Sequence, residues 1–178
     1  MEPKVWLQKP DIRYRDAYQA FYEEWKRSGE PMVPWVIGKD PSEFEAMIAW
    51  LGSREYAENL PEGWVPDSTF WLVDEQGSVL GAVNIRHRLT DKLLSSGGHI
   101  GYGIRPSARG QGLATRLLAL ALGEAGQLGI KRALVVCDAG NIPSEKTILR
   151  NGGVSDADHT EEDGTVIKRY WIDLGPLA

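Results

Sequence analysis

The sequence predicts a single α/β domain in which a mixed central sheet is flanked by helices on both faces. Three observations lead there. Apolar residues recur with helical spacing over residues 12–55, and the period changes to two near Thr69. The run "KRALVVCD" (131–138) is almost continuously apolar, as in a strand covered on both faces. Beyond residue 109, helical and extended stretches alternate and then end in two strands. With 178 residues, 42% of them hydrophobic, the chain has material for one sizeable core.

The elements follow in order. "VWLQKP" (5–10) reads as a short strand ended by Pro10. In residues 12–30, Tyr14, Ala17, Tyr18, Phe21, Tyr22 and Trp25 share one helix face, and Gly29 with Pro31 stops the helix. "PMVPWVIG" (31–38) reads as an irregular crossing. A second helix follows, with Ser42 and Glu45 spaced for a capping box and Phe44, Met47, Ile48 and Leu51 on its apolar side. "LPEGWVPDS" (60–68) is a loop, and residues 69–89 read as strand, turn and strand, with "DEQGS" (74–78) as the turn. "LTDKLLSSGG" (89–98) is a connection to the short strand "HIGYGI" (99–104). Its two glycines weaken a strand, which points to a bulge or to something lying close to the backbone. Residues 109–128 form the clearest helix, packed through Leu113, Leu117, Leu118, Leu120, Ala121 and Ala125 and ended by Gly129. "NIPSEKTILRNGG" (141–153) is a short helix with Pro143 in its first turn, and residues 154–174 form a final hairpin.

Composition excludes several classes. The net charge is −5 and there is no basic run, which argues against a nucleic-acid partner. Its acidic balance slightly favours a cationic one. Cys137 is the single cysteine, so no intrachain disulfide and no cysteine-rich metal pattern can form; on an apolar strand it is expected to be buried and inert. The N-terminus lacks the apolar core of a signal peptide, and the most apolar stretch is interrupted by Arg116 and Glu124. A cytoplasmic protein with no membrane partner is the expectation.

The chemistry concentrates at "RPSARGQGLA" (105–114), between a strand and a helix. A helix start presents unpaired N–H groups and partial positive charge, a natural seat for phosphate. Gly110 and Gly112 remove side chains that would hold a phosphate away, Ala114 is small, and Arg105 and Arg109 add charge. The third glycine of a dinucleotide fingerprint is missing, and no P-loop is present. From local chemistry alone, diphosphate binding and a plain turn with solvent-facing arginines both stay open.

The same stretch resembles the signature of the GCN5-related N-acetyltransferase (GNAT) family, R/Q-x-x-G-x-G/A, with Arg109, Gly112 and Ala114 at its named positions. The order continues with "KRALVVCD" and then an N-x-x-[SA] helix, matched by Asn141 and Ser144, so residues 70–172 carry the resemblance. "GWVP" and "HIGYGI" also resemble a subgroup of bacterial acetyltransferases, which brings no acceptor with it. The resemblance implies a GNAT-like acyl-CoA N-acyltransferase fold with strands splayed at the cofactor site. Residues 1–65 would shape the acceptor side, and 66–172 the cofactor-binding core. It implies transfer of an acetyl group from acetyl-CoA to a primary amine, on a small molecule or peptide, by direct attack. The diphosphate would lie on backbone groups of Gly110, Gln111, Gly112, Leu113 and Ala114, with Arg105 and Arg109 nearby. The pantetheine arm would run along Tyr102 to Ile104, with Gly101 and Gly103 allowing close approach at a bulge, and would meet Asn141 and Ser144. Lys146 and Arg150, one turn apart, would face the adenosine 3′-phosphate. A homodimer would be ordinary for the family.

One departure stands out. Many members carry a tyrosine seven positions after the Asn, next to the leaving sulfur; here that position is Ile148. Ser144, Tyr102 or water would have to replace it, and a non-catalytic acyl-CoA sensor of the same fold is the second reading. For the base, His99 and His87 are the candidates, with His159 behind them and ordered water as an equal rival. Arg86 and Arg88 would depress protonation of His87 or meet an acidic acceptor. Tyr102 is expected beside the acetyl group. Trp35, Trp64 and Trp71 are expected in the core or along the pocket, with Asp91 and Glu30 as attractors of a cationic amine.

Overall fold

The computed structural model describes residues 2–176. β1 (Val5–Gln8), β2 (Asp67–Asp74), β3 (Val79–Arg86) and β4 (Ile100–Ile104) form one antiparallel sheet in that order. β5 (Arg132–Asp138), β6 (Val154–Thr160) and β7 (Val166–Asp173) form a second, also antiparallel, in the order β5-β7-β6. The central sheet is therefore two sheets meeting at a seam between β4 and β5.

α1 (Arg15–Ser28) and α2 (Phe44–Ser53) cover one face of the first sheet. Tyr18, Phe21 and Trp25 of α1, with Phe44 and Met47 of α2, pack there on Trp71, Val73 and Ala82. Tyr18 stacks on Trp71, with ring centroids 4.3 Å apart. α3 (Leu113–Gln127) lies on the opposite face. Leu113, Leu117, Leu118, Ala121 and Ala125 recur at helical spacing and pack on Leu72, Val83 and Ile85 of one sheet and on Ala133 and Val135 of the other. Full burial of each of these leucines contributes about 2 kcal/mol. α4 (Ile142–Arg150) closes the second sheet, with Ile148 wholly inside this core.

Local chemistry departs from expectation at three points. α3 begins at Leu113 and not at residue 109, because Gly110 and Gly112 adopt left-handed φ angles of 77° and 76° that break a helix. The Ser42–Glu45 capping box does not form. Glu43 is the cap without a side-chain bond, Ser42 donates its N–H to Asp40, and Glu45 reaches Arg15. β4 has no bulge, since the register from Gly81↔Ile104 to Ile85↔Ile100 is unbroken. Gly103 answers to a neighbour within the chain, because a Cβ there would collide with the carbonyl oxygen of Val33 and the ring of Trp25.

Gly103→Ala is expected to cost about 2 kcal/mol by overpacking, read by urea denaturation. A Cβ at Gly101 meets Pro34 at an ordinary 3.5 Å, and Gly101→Ala is expected to stay within about 1 kcal/mol of the unaltered chain.

Candidate active site

The seam opens into a cleft of about 1180 Å³. Strand edges create it. On either side of β4, Arg105 pairs with Leu80 and His99 with Arg86 through backbone hydrogen bonds. Backbone groups alternate between edges, so those of Tyr102 and Ile104 point away from β3, toward β5. β5 meets β4 by one backbone bond, from the His99 N–H to the Leu134 carbonyl (2.7 Å). Beyond that bond the strands part, and β4 keeps an unpaired edge facing the gap. Arg109 takes one group of it, since its Nε donates to the Ile104 carbonyl.

The start of α3 overlooks this gap. Among the described residues, no acceptor meets the backbone N–H groups of the six consecutive residues Gly110 to Thr115. A Cβ at Gly110 or Gly112 would project into open space. A row of donors without side chains in front of it can receive an anion such as a diphosphate, and the helix dipole favours that charge. Gly110, Gly112, Leu113, Ala114 and Thr115 line the cleft.

The facing wall is α4. The Asn141 side chain accepts from the Ser144 N–H (3.3 Å) and caps the helix. The Ser144 hydroxyl lies 2.8 Å from the Tyr102 hydroxyl. Burial pushes the Tyr102 phenol up to about 12, so it carries its proton at neutral pH. Cys137 lies in the same part of the cleft, buried, with its thiol also pushed up by burial. Lys146 and Arg150 line the α4 end.

Several residues singled out in the sequence stand elsewhere. His99 is 7% exposed and its Nδ1 accepts from the Leu134 N–H (2.9 Å). Burial, then the charge of Arg86, lowers its pKa to about 4. It is a neutral pin of the seam, not a cleft base. His87 also lies outside the cleft, with Nε2 on the Ser68 hydroxyl (2.8 Å) and its pKa lowered by burial. Arg105 turns away to Glu24 (3.0 Å) and the Val79 carbonyl. Gln111 lines a shallow depression beside Arg105 and not the cleft. Trp71 is fully buried in the core, and Trp64 packs edge-on against Trp35. Asp91 does not line the cleft, whereas Glu30 does, bound to Arg109 (2.7 Å). Ile148 faces the core and does not line the cleft.

Two features had no sequence signal. The 31–34 segment forms a wall of the cleft through Pro31, Val33 and Pro34, although it reads only as a crossing. Trp25, an apolar-face residue of α1, also reaches the cleft, where its ring lies under the Arg109 guanidinium (5.3 Å).

The family model for the Acetyltransferase (GNAT) domain matches residues 5–154. The chain belongs to the GNAT acetyltransferase family. Solved structures agree in fold. The microcin self-immunity acetyltransferase MccE, solved with acetyl-CoA and AMP, shares 17% identity at a TM-score of 0.67, over 96% of this chain and 92% of its own. YncA of Salmonella typhimurium, solved with its cofactor acetyl-CoA, shares 15% at 0.62, over 98% and 96%. The spermidine/spermine N-acetyltransferase SpeG of Vibrio cholerae shares 17% at 0.64, over 96% and 95%. Curated protein sequences give no match. No helix among the described residues of this GNAT chain is long and apolar enough to cross a membrane.

The seam histidine sets a pH dependence of stability. Its folded pKa lies below the unfolded value of 6.5. The unfolded chain therefore takes up the proton first, and stability falls as pH drops from 6.5 toward 4, by up to about 3 kcal/mol. His99→Gln is expected to lower stability at pH 7 and to flatten the decline over that window, measured by melting temperature against pH.

Proposed function

We propose that this GNAT domain transfers an acetyl group from acetyl-CoA to a primary amine that enters beside Trp35 and Arg86. The observation that carries the reading is the row of unpaired N–H groups from Gly110 to Thr115 above an open strand edge. It matches a diphosphate joined to an extended, amide-bearing arm. The coenzyme would supply an activated acetyl thioester. Gly110 to Thr115 would hold its diphosphate, and Lys146 and Arg150 its 3′-phosphate. Tyr102 and Ile104 would offer their N–H groups to the arm, or to the acetyl oxygen as charge develops on it.

The Tyr102 hydroxyl is the donor best placed to serve the departing sulfur. It is held by Ser144 and keeps its proton at neutral pH. It would take the part that Ile148 cannot. No histidine lines the cleft, so the amine would reach the carbonyl as the free base or lose its proton to water. Cys137 stays protonated and has no step to perform.

Thiol release from acetyl-CoA, followed over a panel of amines, tests the reading. Acceptor-dependent release is expected, and CoA is expected to raise the melting temperature. CoA binding with no release for any amine would favour an acyl-CoA sensor, and no thermal shift with CoA would remove the proposal. Tyr102→Phe is expected to lower kcat by about tenfold or more, with the CoA-induced thermal shift retained. The Lys146→Ala, Arg150→Ala double variant is expected to weaken CoA by about tenfold and dephospho-CoA by far less, in competition binding.

A further inference from the structure

We infer that the amine acceptor carries a carboxylate, read by Arg86, on an apolar body that lies against Trp35 and Pro34. The inference deepens the proposed function and rests on it. Arg86 stands at the last residue of β3 and lines the cleft at the end away from Lys146 and Arg150. Its guanidinium is largely withdrawn from solvent, and this burial lowers its pKa. Its Nη1 donates to the carbonyls of Gly97 (3.0 Å) and Gly98 (3.2 Å) and is used up. Among the described residues no carboxylate bonds to it. Asp67, its cross-strand partner in β2, is taken by Arg54 (2.7 Å) and by Asn84 (2.8 Å). Two guanidiniums thus face one carboxylate in this part of the protein, and among the described residues Arg86 meets Asp67 only through space, without a hydrogen bond.

A partly buried charge whose nearest carboxylate is bonded elsewhere is under-compensated. The cost falls if a ligand brings the anion. The Nε–Nη2 edge of Arg86 makes no hydrogen bond in the protein, and two parallel N–H groups match the two oxygens of a carboxylate. Space is kept in front of it by Gly101, where a Cβ would lie 3.9 Å from Nη2 and 3.5 Å from Pro34. Beside this point Trp35 is 42% exposed and braced edge-on by Trp50 and Trp64, each at 5.8 Å. A held aromatic face next to an unpaired cation fits an amine with an apolar body and an acidic end. The net charge of −5 favours a cationic partner, but this corner of the cleft is locally positive.

The test compares binding of N-acetylleucine and N-acetylleucinamide, a product pair differing in the carboxylate, to the CoA-loaded chain by calorimetry. The acid is expected to bind at least tenfold tighter than the amide. Arg86→Gln is expected to reduce that preference to within threefold while CoA still raises the melting temperature. Arg86→Lys is expected to retain part of it, because charge remains without the fork, and Arg88→Gln on the exposed neighbour to leave it intact. If Arg86→Gln does not fold, the comparison on the unaltered chain and on Arg86→Lys decides. Equal binding of acid and amide, or a preference for the amide, overturns the inference. A CoA thermal shift without acid preference sinks this inference alone, whereas no CoA shift at all sinks the proposed function.

Discussion

The bond between the His99 N–H and the Leu134 carbonyl is the hinge on which this architecture turns. It is returned by the Leu134 N–H, which donates to His99 Nδ1. The pair ties β4 to β5 at one end, and past it neither strand finds the other. A continuous sheet would have used those backbone groups internally and left nothing for a ligand. The parting exposes the edge at Tyr102 and Ile104 and gives α3 a gap to overlook. The ring must stay neutral for Nδ1 to accept. Burial and the nearby Arg86 charge keep it so.

The second support is the clamp beneath the glycine turn. The Glu24 carboxylate of α1 accepts from Arg105 (3.0 Å) and from the N–H of Ser107 (3.0 Å). Burial raises the pKa of that carboxyl, but the hydrogen bonds outweigh it and hold the value at about 2. Arg105 is thus a strut. It fixes the segment leading into Gly110 and Gly112 from below, while the unpaired N–H groups face the cleft. Arg109 is held on the other side by Glu30 and the Trp25 ring. Two arginines that look alike in sequence hold the two ends of one turn.

Arg54 supports the Trp35 wall of the cleft in a comparable way. Its guanidinium lies 4.7 Å over Trp35, 5.2 Å over Trp50 and 5.3 Å over Trp64, while it pairs with Asp67. Asn84 completes the set by donating to Asp67 and Thr69. This network keeps Trp35 in place at the cleft mouth. It also binds Asp67, the carboxylate paired across the strands from Arg86. The polarity of that end of the cleft therefore depends on which arginine bonds Asp67.

By itself the sequence determined whatever depends on neighbours along the chain. Helical spacing at Tyr18, Phe21 and Trp25, the alternation of residues 69–86 and the Asn141 cap are local effects, and each can be read within one or two turns. The family signature belongs to this class, because a diphosphate cradle is a single stretch of backbone. Tertiary structure alone decided where side chains from separate elements point. The near-neutral titration of an ordinary imidazole made His99 and His87 candidate bases, but one is used to close the seam and the other to hold Ser68. Arg105 and Arg109 were equivalent until Glu24 and Glu30 claimed them. Ile148 marked a missing hydroxyl, yet the position faces the core, and the hydroxyl in the gap comes from Tyr102 on another strand. Burial, pairing and desolvation are sums over groups brought together across the fold, so no local reading of the chain contains them.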